Sequence, residues 1–206
     1  WGFTGYWNKN WWNKINCMVW TTLDSLPLLP EAVSAASKIK NYYVWANFAA
    51  KEMKRLGHKH VGLLRGSLNS DNFFRLSDQD KKSLRQKQNI DSNEFLIGFV
   101  FRNQLRKSVP NLLEGYKLFI KKNPDSKAKL LFHTSWAEGW DIPRLLKEKE
   151  ISAEKILTTY YCHACCEFEI KKFTKHKENC RFCGNENCQE TSNVKRGVSE
   201  DQLNHI

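Results

Sequence analysis

The sequence predicts an α/β chain whose strands run parallel in two units joined near residue 90. Apolar runs of strand length alternate with helical stripes between residues 18 and 64, the pattern of βαβ units. After a polar, lysine-rich stretch over residues 77–93, the alternation restarts at Phe95. A cluster of cysteines near the end stands outside this pattern and points to a separate, locally organised element.

Met18 to Leu23 reads as the first strand. Pro30 stands where a first helical residue belongs, since the N–H it lacks would have no partner there, and Ala32, Ala35, Ala36 and Ile39 make one helical stripe. Tyr42 to Trp45 is a second strand. Ala49, Met53 and Leu56 mark a short helix that Gly57 caps, and Val61 to Leu64 is a third strand. Ser77 caps a connector helix. Phe95 to Phe101 is a continuous apolar run, as expected of a parallel strand buried on both faces. Pro110 opens a helix whose apolar face is Val109, Leu112, Leu113, Tyr116, Phe119 and Ile120. Leu130 to His133 is the next strand, Asp141 and Pro143 start another helix, and Ile156 to Tyr160 is another strand. Ser199-Glu200-Asp201-Gln202 is a capping-box pattern four residues before the last residue, Ile206. So short a helix is not stable alone, and with no initiator Met the chain reads as a piece of a longer protein. Trp1, Trp7, Trp11, Trp12 and Trp20 are interleaved with Asn and Lys without a regular period. They read as a packed loop, with an aromatic-lined acceptor site as the functional alternative.

With 206 residues, 41% of them hydrophobic, the chain can bury a core, which excludes global disorder. No apolar run approaches the ~20 residues of a membrane helix. The net charge of +11 and the pI near 9.3 favour anionic partners: phosphorylated small molecules, nucleic acid or lipid headgroups in peripheral contact.

Six of the seven cysteines lie between Cys162 and Cys188. Cys162-x2-Cys165 and Cys180-x2-Cys183 have the spacing of two knuckles, each offering two thiolates to a tetrahedral Zn2+. Cys166, Cys188, His163 and His176 are substitutes within reach of the same segment. Four thiolates leave no open position, so the ion is expected to be structural, organising an insertion over about residues 160–192. Clustered free thiols also suit a reducing, cytoplasmic setting. Lys171, Lys172, Lys175 and Lys177 between the knuckles keep nucleic-acid or anionic-lipid contact open.

The turn over residues 98–113 sets Arg102, Arg106 and Lys107 at the carboxyl end of a strand, just ahead of a helix. Ligands bind at that edge of open α/β sheets, and cations near a helix N-terminus suit a diphosphate. The stretch from Phe95 to Phe119 resembles the opening of the C-terminal domain of family-4 retaining glycosyltransferases, in which a strand is followed by an Arg, a Lys five residues on, and an amphipathic helix. Residues 61–74 resemble that family's passage from N-terminal domain to linker, and the likeness extends through residues 129–146 and into the helix begun at Ser199. One position departs: Ser108 stands where the family usually has Gly.

The resemblance implies a GT-B fold of two Rossmann-like domains, with residues 1–76 belonging to the N-terminal domain, 77–93 to a linker and 94–206 to the C-terminal, donor-binding domain. It implies that Arg102 and Lys107 bind the diphosphate of a nucleotide-sugar donor, and that transfer is retaining. The family's Gly-rich acceptor-side loop would precede residue 1, and its paired-glutamate motif would follow residue 206. Asp24, after the first strand, is a candidate catalytic or acceptor-positioning residue, with a turn or capping role as its plain alternative. His133 and Trp136 either line the nucleotide pocket or pack in the core. The expected activity is sugar transfer from a nucleotide diphosphate to an unidentified glycan, lipid or protein acceptor. The rivals are a zinc-ribbon nucleic-acid-binding protein with a basic surface, and a catalytically silent scaffold. Nucleic acid is the weaker expectation, since it does not account for the Arg102–Lys107 spacing or the doubled α/β alternation.

Overall fold

A computed structural model describes residues 5–193 and 195–206, so Trp1 lies outside the described residues. The chain forms two compact units, one ending at Asn69 and one running from Ser70 to Ile206.

In the first unit, β1 (Val19–Thr21), β2 (Tyr42–Val44) and β3 (Gly62–Leu63) form a parallel sheet in that order. The connections are α1 (Pro30–Ala36) and α2 (Asn47–Arg55). Val19, Tyr42 and Val44 pack with Ala32, Ala36, Ala49 and Met53 in one buried cluster. The period-two alternation of the strands sends Trp20 and Tyr43 to the opposite face. There Trp20 stacks on Trp45 at 4.8 Å and donates its indole N–H to Leu64 O at 2.7 Å. Gly62 is required beside them, because a Cβ would sit 2.7 Å from the Tyr43 ring.

The second unit contains α3 (Asp78–Lys87), β4 (Phe95–Val100), α4 (Val109–Lys122), β5 (Ala128–His133), α5 (Ile142–Glu148), β6 (Ile156–Cys162), β7 (Phe168–Lys171), β8 (Lys177–Glu178), β9 (Gln189–Thr191) and α6 (Glu200–Leu203). Its sheet runs β4-β5-β6-β9-β8, with β7 also on β6. β4, β5 and β6 are parallel, whereas β7 and β9 run antiparallel to β6. Leu130, Phe132 and Ile156 meet Val109, Leu113, Tyr116 and Ile142 on one face. Leu131 and Leu157 meet Ile90, Phe168 and Ile170 on the other. The expected mixed architecture of parallel strands in two sheets is therefore observed.

Three expectations need correction. β4 is not buried on both faces. It is the edge strand, and Phe95 and Val100 are 67% and 57% exposed. The stretch over residues 77–93 is part of the second unit. Arg85 donates to Asp91 O and Glu94 O at 2.6 and 2.7 Å, and buried Gln88 stands in for a neighbouring strand at the edge of β7. Its amide donates to Phe168 O at 3.2 Å and its carbonyl accepts from Ile170 N at 2.8 Å. The cysteine segment is likewise not a separate loop held by metal alone. β6 continues into it, β7 and β9 pair with β6, and Phe168 and Ile170 contribute to the core.

Two short features bear on the ends of helices. α6 has the expected capping box and is held by Asn72 on Glu200, Asn204 on Phe74 N, and Gln202 on Cys166 O. Ser108, the departure from the family pattern, sits at φ 48° and ψ 48° at the start of α4. Glycine adopts that left-handed conformation without steric penalty. Ser108→Gly is expected to raise the unfolding free energy of the second unit by about 0.5–1 kcal/mol in urea titrations, the relieved strain outweighing glycine's larger entropy in the unfolded chain.

Candidate metal centre and cleft

The two cysteine knuckles have the same backbone pattern. The Cys162 N–H donates to Glu167 O and the Cys166 N–H to Cys162 O, at 2.9 and 3.0 Å. The Cys180 N–H donates to Asn185 O and the Gly184 N–H to Cys180 O, at 3.0 and 2.9 Å. In each knuckle an N–H two residues on, from Ala164 or Phe182, points at the first sulfur from 3.4 Å. Each turn closes on a residue with positive φ, Cys166 at 60° and Gly184 at 72°. Cys166 is thus the counterpart of a turn glycine, and its thiol is exposed.

The knuckles bring the thiols together. The ligand atoms of Cys162, Cys180, Cys183 and Cys188 all lie within 4.8 Å of one another, a group that could hold a metal ion. Cys162 Sγ is 3.8 Å from Cys183 Sγ and 3.3 Å from Cys188 Sγ, and Cys165 Sγ is 3.7 Å from Cys180 Sγ. Three of the expected set, Cys162, Cys180 and Cys183, are in this group; Cys188 stands in it in place of Cys165, whose sulfur lies beside Cys180. Cys17 lies in the other unit. His163 faces Glu190 at 3.3 Å instead of the sulfurs, and His176 packs edge-on to Phe173.

The surroundings act differently on three of the thiols. Burial pushes the Cys165 and Cys188 thiols up to about 12, and neighbouring sulfurs add to the effect. Burial also opposes ionisation of Cys162, but the N–H groups of Cys165 and Ala164 and the Cys188 thiol outweigh it and hold its pKa below the usual thiol value. A metal ion bound here would take up these sulfurs as thiolates, displacing their protons.

A cleft of about 270 Å³ opens at the carboxyl ends of β4 and β5, lined by Val100, Arg102, His133, Thr134, Glu138 and Asn193 among others. Arg102 is 57% exposed and only loosely paired with Glu138 at 3.9 Å. Arg106 and Lys107 occupy the 3-10 turn that leads into α4 and do not line this cleft; Arg106 Nε donates to Gln104 at 3.1 Å. His133 is buried, which lowers its pKa, and its Nδ1 is 2.8 Å from Thr159 Oγ1. Trp136 is a core residue: it stacks on Phe173 at 4.0 Å and donates to Thr158 at 2.8 Å. Asp24 is exposed in the loop after β1, in the first unit.

One cleft residue, Thr134, and one residue that holds a cleft loop, Asn103, carried no signal in the sequence. Thr134 is buried, and its hydroxyl has no hydrogen-bond partner among the described residues. Asn103, next in sequence to Arg102, is buried. Its amide donates to Ser135 O, Glu138 O and Trp140 O, and its Oδ1 accepts from Trp140 N at 3.0 Å. Gly139 permits this closure, since a Cβ there would lie 2.0 Å from Asn103 O. Asn103 therefore fixes the loop bearing Glu138 to the strand end bearing Arg102.

A scan of protein-family models gave no match, and a search of curated proteins gave no significant match. No helix among the described residues is long and apolar enough to cross a membrane.

Proposed function

We propose that the chain is part of a GT-B glycosyltransferase that moves a sugar from a nucleotide-diphosphate donor to an acceptor, and that its second unit holds the donor's diphosphate. The observation that carries this reading is the Arg102-lined cleft at the carboxyl edge of a parallel sheet, next to the turn into α4. Ligand sites of open α/β sheets lie at that edge. The Arg102–Lys107 spacing agrees with the family resemblance. In this role Arg102 in the cleft, with Lys107 reaching in from the turn before α4, stabilises the diphosphate as the bond to the sugar breaks and negative charge develops on the leaving oxygen. Asp24 remains the candidate acceptor-side residue.

The cysteine cluster is read as a structural Zn2+ site. Its donors are all thiols, the set that Zn2+ favours, and a filled tetrahedron leaves no position for substrate. The nucleic-acid alternative gains little, because three of the four lysines between the knuckles already face acids. Lys171 pairs with Glu169 at 3.1 Å, Lys172 with Glu154, and Lys177 with Glu190 at 3.8 Å.

Calorimetric titration of nucleoside diphosphates into the protein, in the longest form that carries the ribose contacts, tests the donor site. Arg102→Ala and Lys107→Ala are each expected to weaken binding by roughly 1.5–3 kcal/mol. Unchanged affinity in both variants would remove the site. Single-stranded DNA titrated at two salt concentrations tests the alternative, since binding that weakens steeply with salt belongs to a nucleic-acid surface.

A further inference from the structure

Five thiols converge where a tetrahedral ion needs four, and two geometric criteria select different sets. Zn–S bonds of about 2.3 Å separate the sulfurs of a tetrahedron by about 3.8 Å. The Cys162–Cys183 and Cys165–Cys180 separations, 3.8 and 3.7 Å, match two opposite edges of that tetrahedron. The set whose ligand atoms all lie within 4.8 Å of one another instead contains Cys188 in place of Cys165. Each of the two lies against a constant member of the cluster: Cys188 Sγ is 3.3 Å from Cys162 Sγ and Cys165 Sγ 3.7 Å from Cys180 Sγ.

Their backbones differ. Cys165 is carried by the first knuckle. Cys188 stands just before β9, and its carbonyl accepts the His163 N–H at 2.9 Å, which ties the two strand ends together. The Cys188 thiol has an acceptor of its own, Asn185 O at 3.2 Å, on which a protonated sulfur can rest while it is not a ligand.

We propose that Cys162, Cys180 and Cys183 are constant ligands of one thiophilic divalent ion, and that Cys165 and Cys188 alternate in the fourth position. In the exchange a bond forms from the ion to the incoming sulfur as the bond to the outgoing sulfur breaks. The proton leaves the incoming thiol and ends on the outgoing one, so the charge and coordination number of the site are unchanged. The inference rests on reading the cluster as a zinc site, and it makes the centre tolerant of losing either exchanging thiol.

The test uses the 206-residue chain purified without chelator, with zinc measured by elemental analysis and Co2+ titrated as a spectroscopic probe of thiolate coordination. Cys165→Ser and Cys188→Ser are each expected to keep one equivalent of metal and a four-thiolate cobalt spectrum, with affinity lowered by no more than about tenfold. The double variant is expected to lose more than about a hundredfold. Loss of metal in Cys165→Ser alone makes the paired knuckles the fixed set and overturns the exchange. Loss in Cys188→Ser alone overturns it in favour of the other fixed set. Loss in both single variants, including through failure to fold, or retention in the double variant, overturns it as well. A wild-type chain holding under about a tenth of an equivalent defeats the zinc reading itself.

Discussion

Removing the metal from the proposed zinc site is expected to disorder the knuckles at residues 162–166 and 180–188, the largest effect argued for this chain. Apparent binding energies of structural zinc sites reach about 10–16 kcal/mol near neutral pH, and this binding energy is folding energy for the residues it orders. Hydrogen exchange before and after chelation is the direct measurement. The knuckle amides of Cys162, Cys166, Cys180 and Gly184 should lose protection, and the effect should spread along two routes. One is β7 and β9, which share β6 with the parallel sheet. The other is α3, which meets the second knuckle through Arg181 on Lys87 O and through Lys87 over the Phe182 ring. β4, β5 and α4 should keep most of their protection, because their core is built without the cysteine segment's knuckles. The pH dependence has a definite sign. Metal binding displaces protons from thiols that burial and crowding raise to about 12 at Cys165 and Cys188, so affinity falls as pH falls. Cys17→Ser should leave metal content unchanged. Knuckle amides equally protected with and without metal would defeat the structural role.

Asn103→Ala is expected to cost the second unit about 3–5 kcal/mol in urea unfolding, well above the median for a single substitution. Two amide hydrogens there are shared among three carbonyls while the Oδ1 accepts one N–H, and removal of the side chain leaves the acceptors at Ser135, Glu138 and Trp140 without this donor. Asn103→Asp should lose as much, because it keeps the shape but sets a carboxylate against carbonyl oxygens. Under the proposed function, both variants also weaken nucleoside-diphosphate binding, since the loop carrying Glu138 is no longer fixed beside Arg102. A loss under about 1 kcal/mol in both variants would show that the loop holds itself without Asn103.

The alternation of apolar runs and helical stripes was legible because it is local. Strand period, the Pro30 and Pro110 helix starts and the Ser77 and Ser199 caps all act within a few residues of themselves, and each marks an element of the structure. The paired Cys-x2-Cys spacing was legible for the same reason, since a knuckle is one turn of backbone. Asn103 and Thr134 were not legible. A polar residue after an apolar strand is ordinary in sequence, and only the loop folding back over residues 134–140 makes these two distinctive. Gln88 was hidden likewise, because its partners on β7 are far along the chain.

By itself, then, the sequence determined the α/β class, the order of its elements, the existence of a thiol centre and the basic turn from Arg102 to Lys107. Tertiary structure alone decided that β4 is an edge strand, because strand order depends on long-range pairing that no local period encodes. It also decided that the cysteine segment continues the main sheet, because β6 outlasts its pairing with β5 and offers its remaining backbone groups to β7 and β9. Finally, it brought Cys188 in to the knuckles. Spacing identifies thiols that share a turn, but a fifth thiol reaches the centre only when antiparallel pairing of β9 with β6 returns the chain to it.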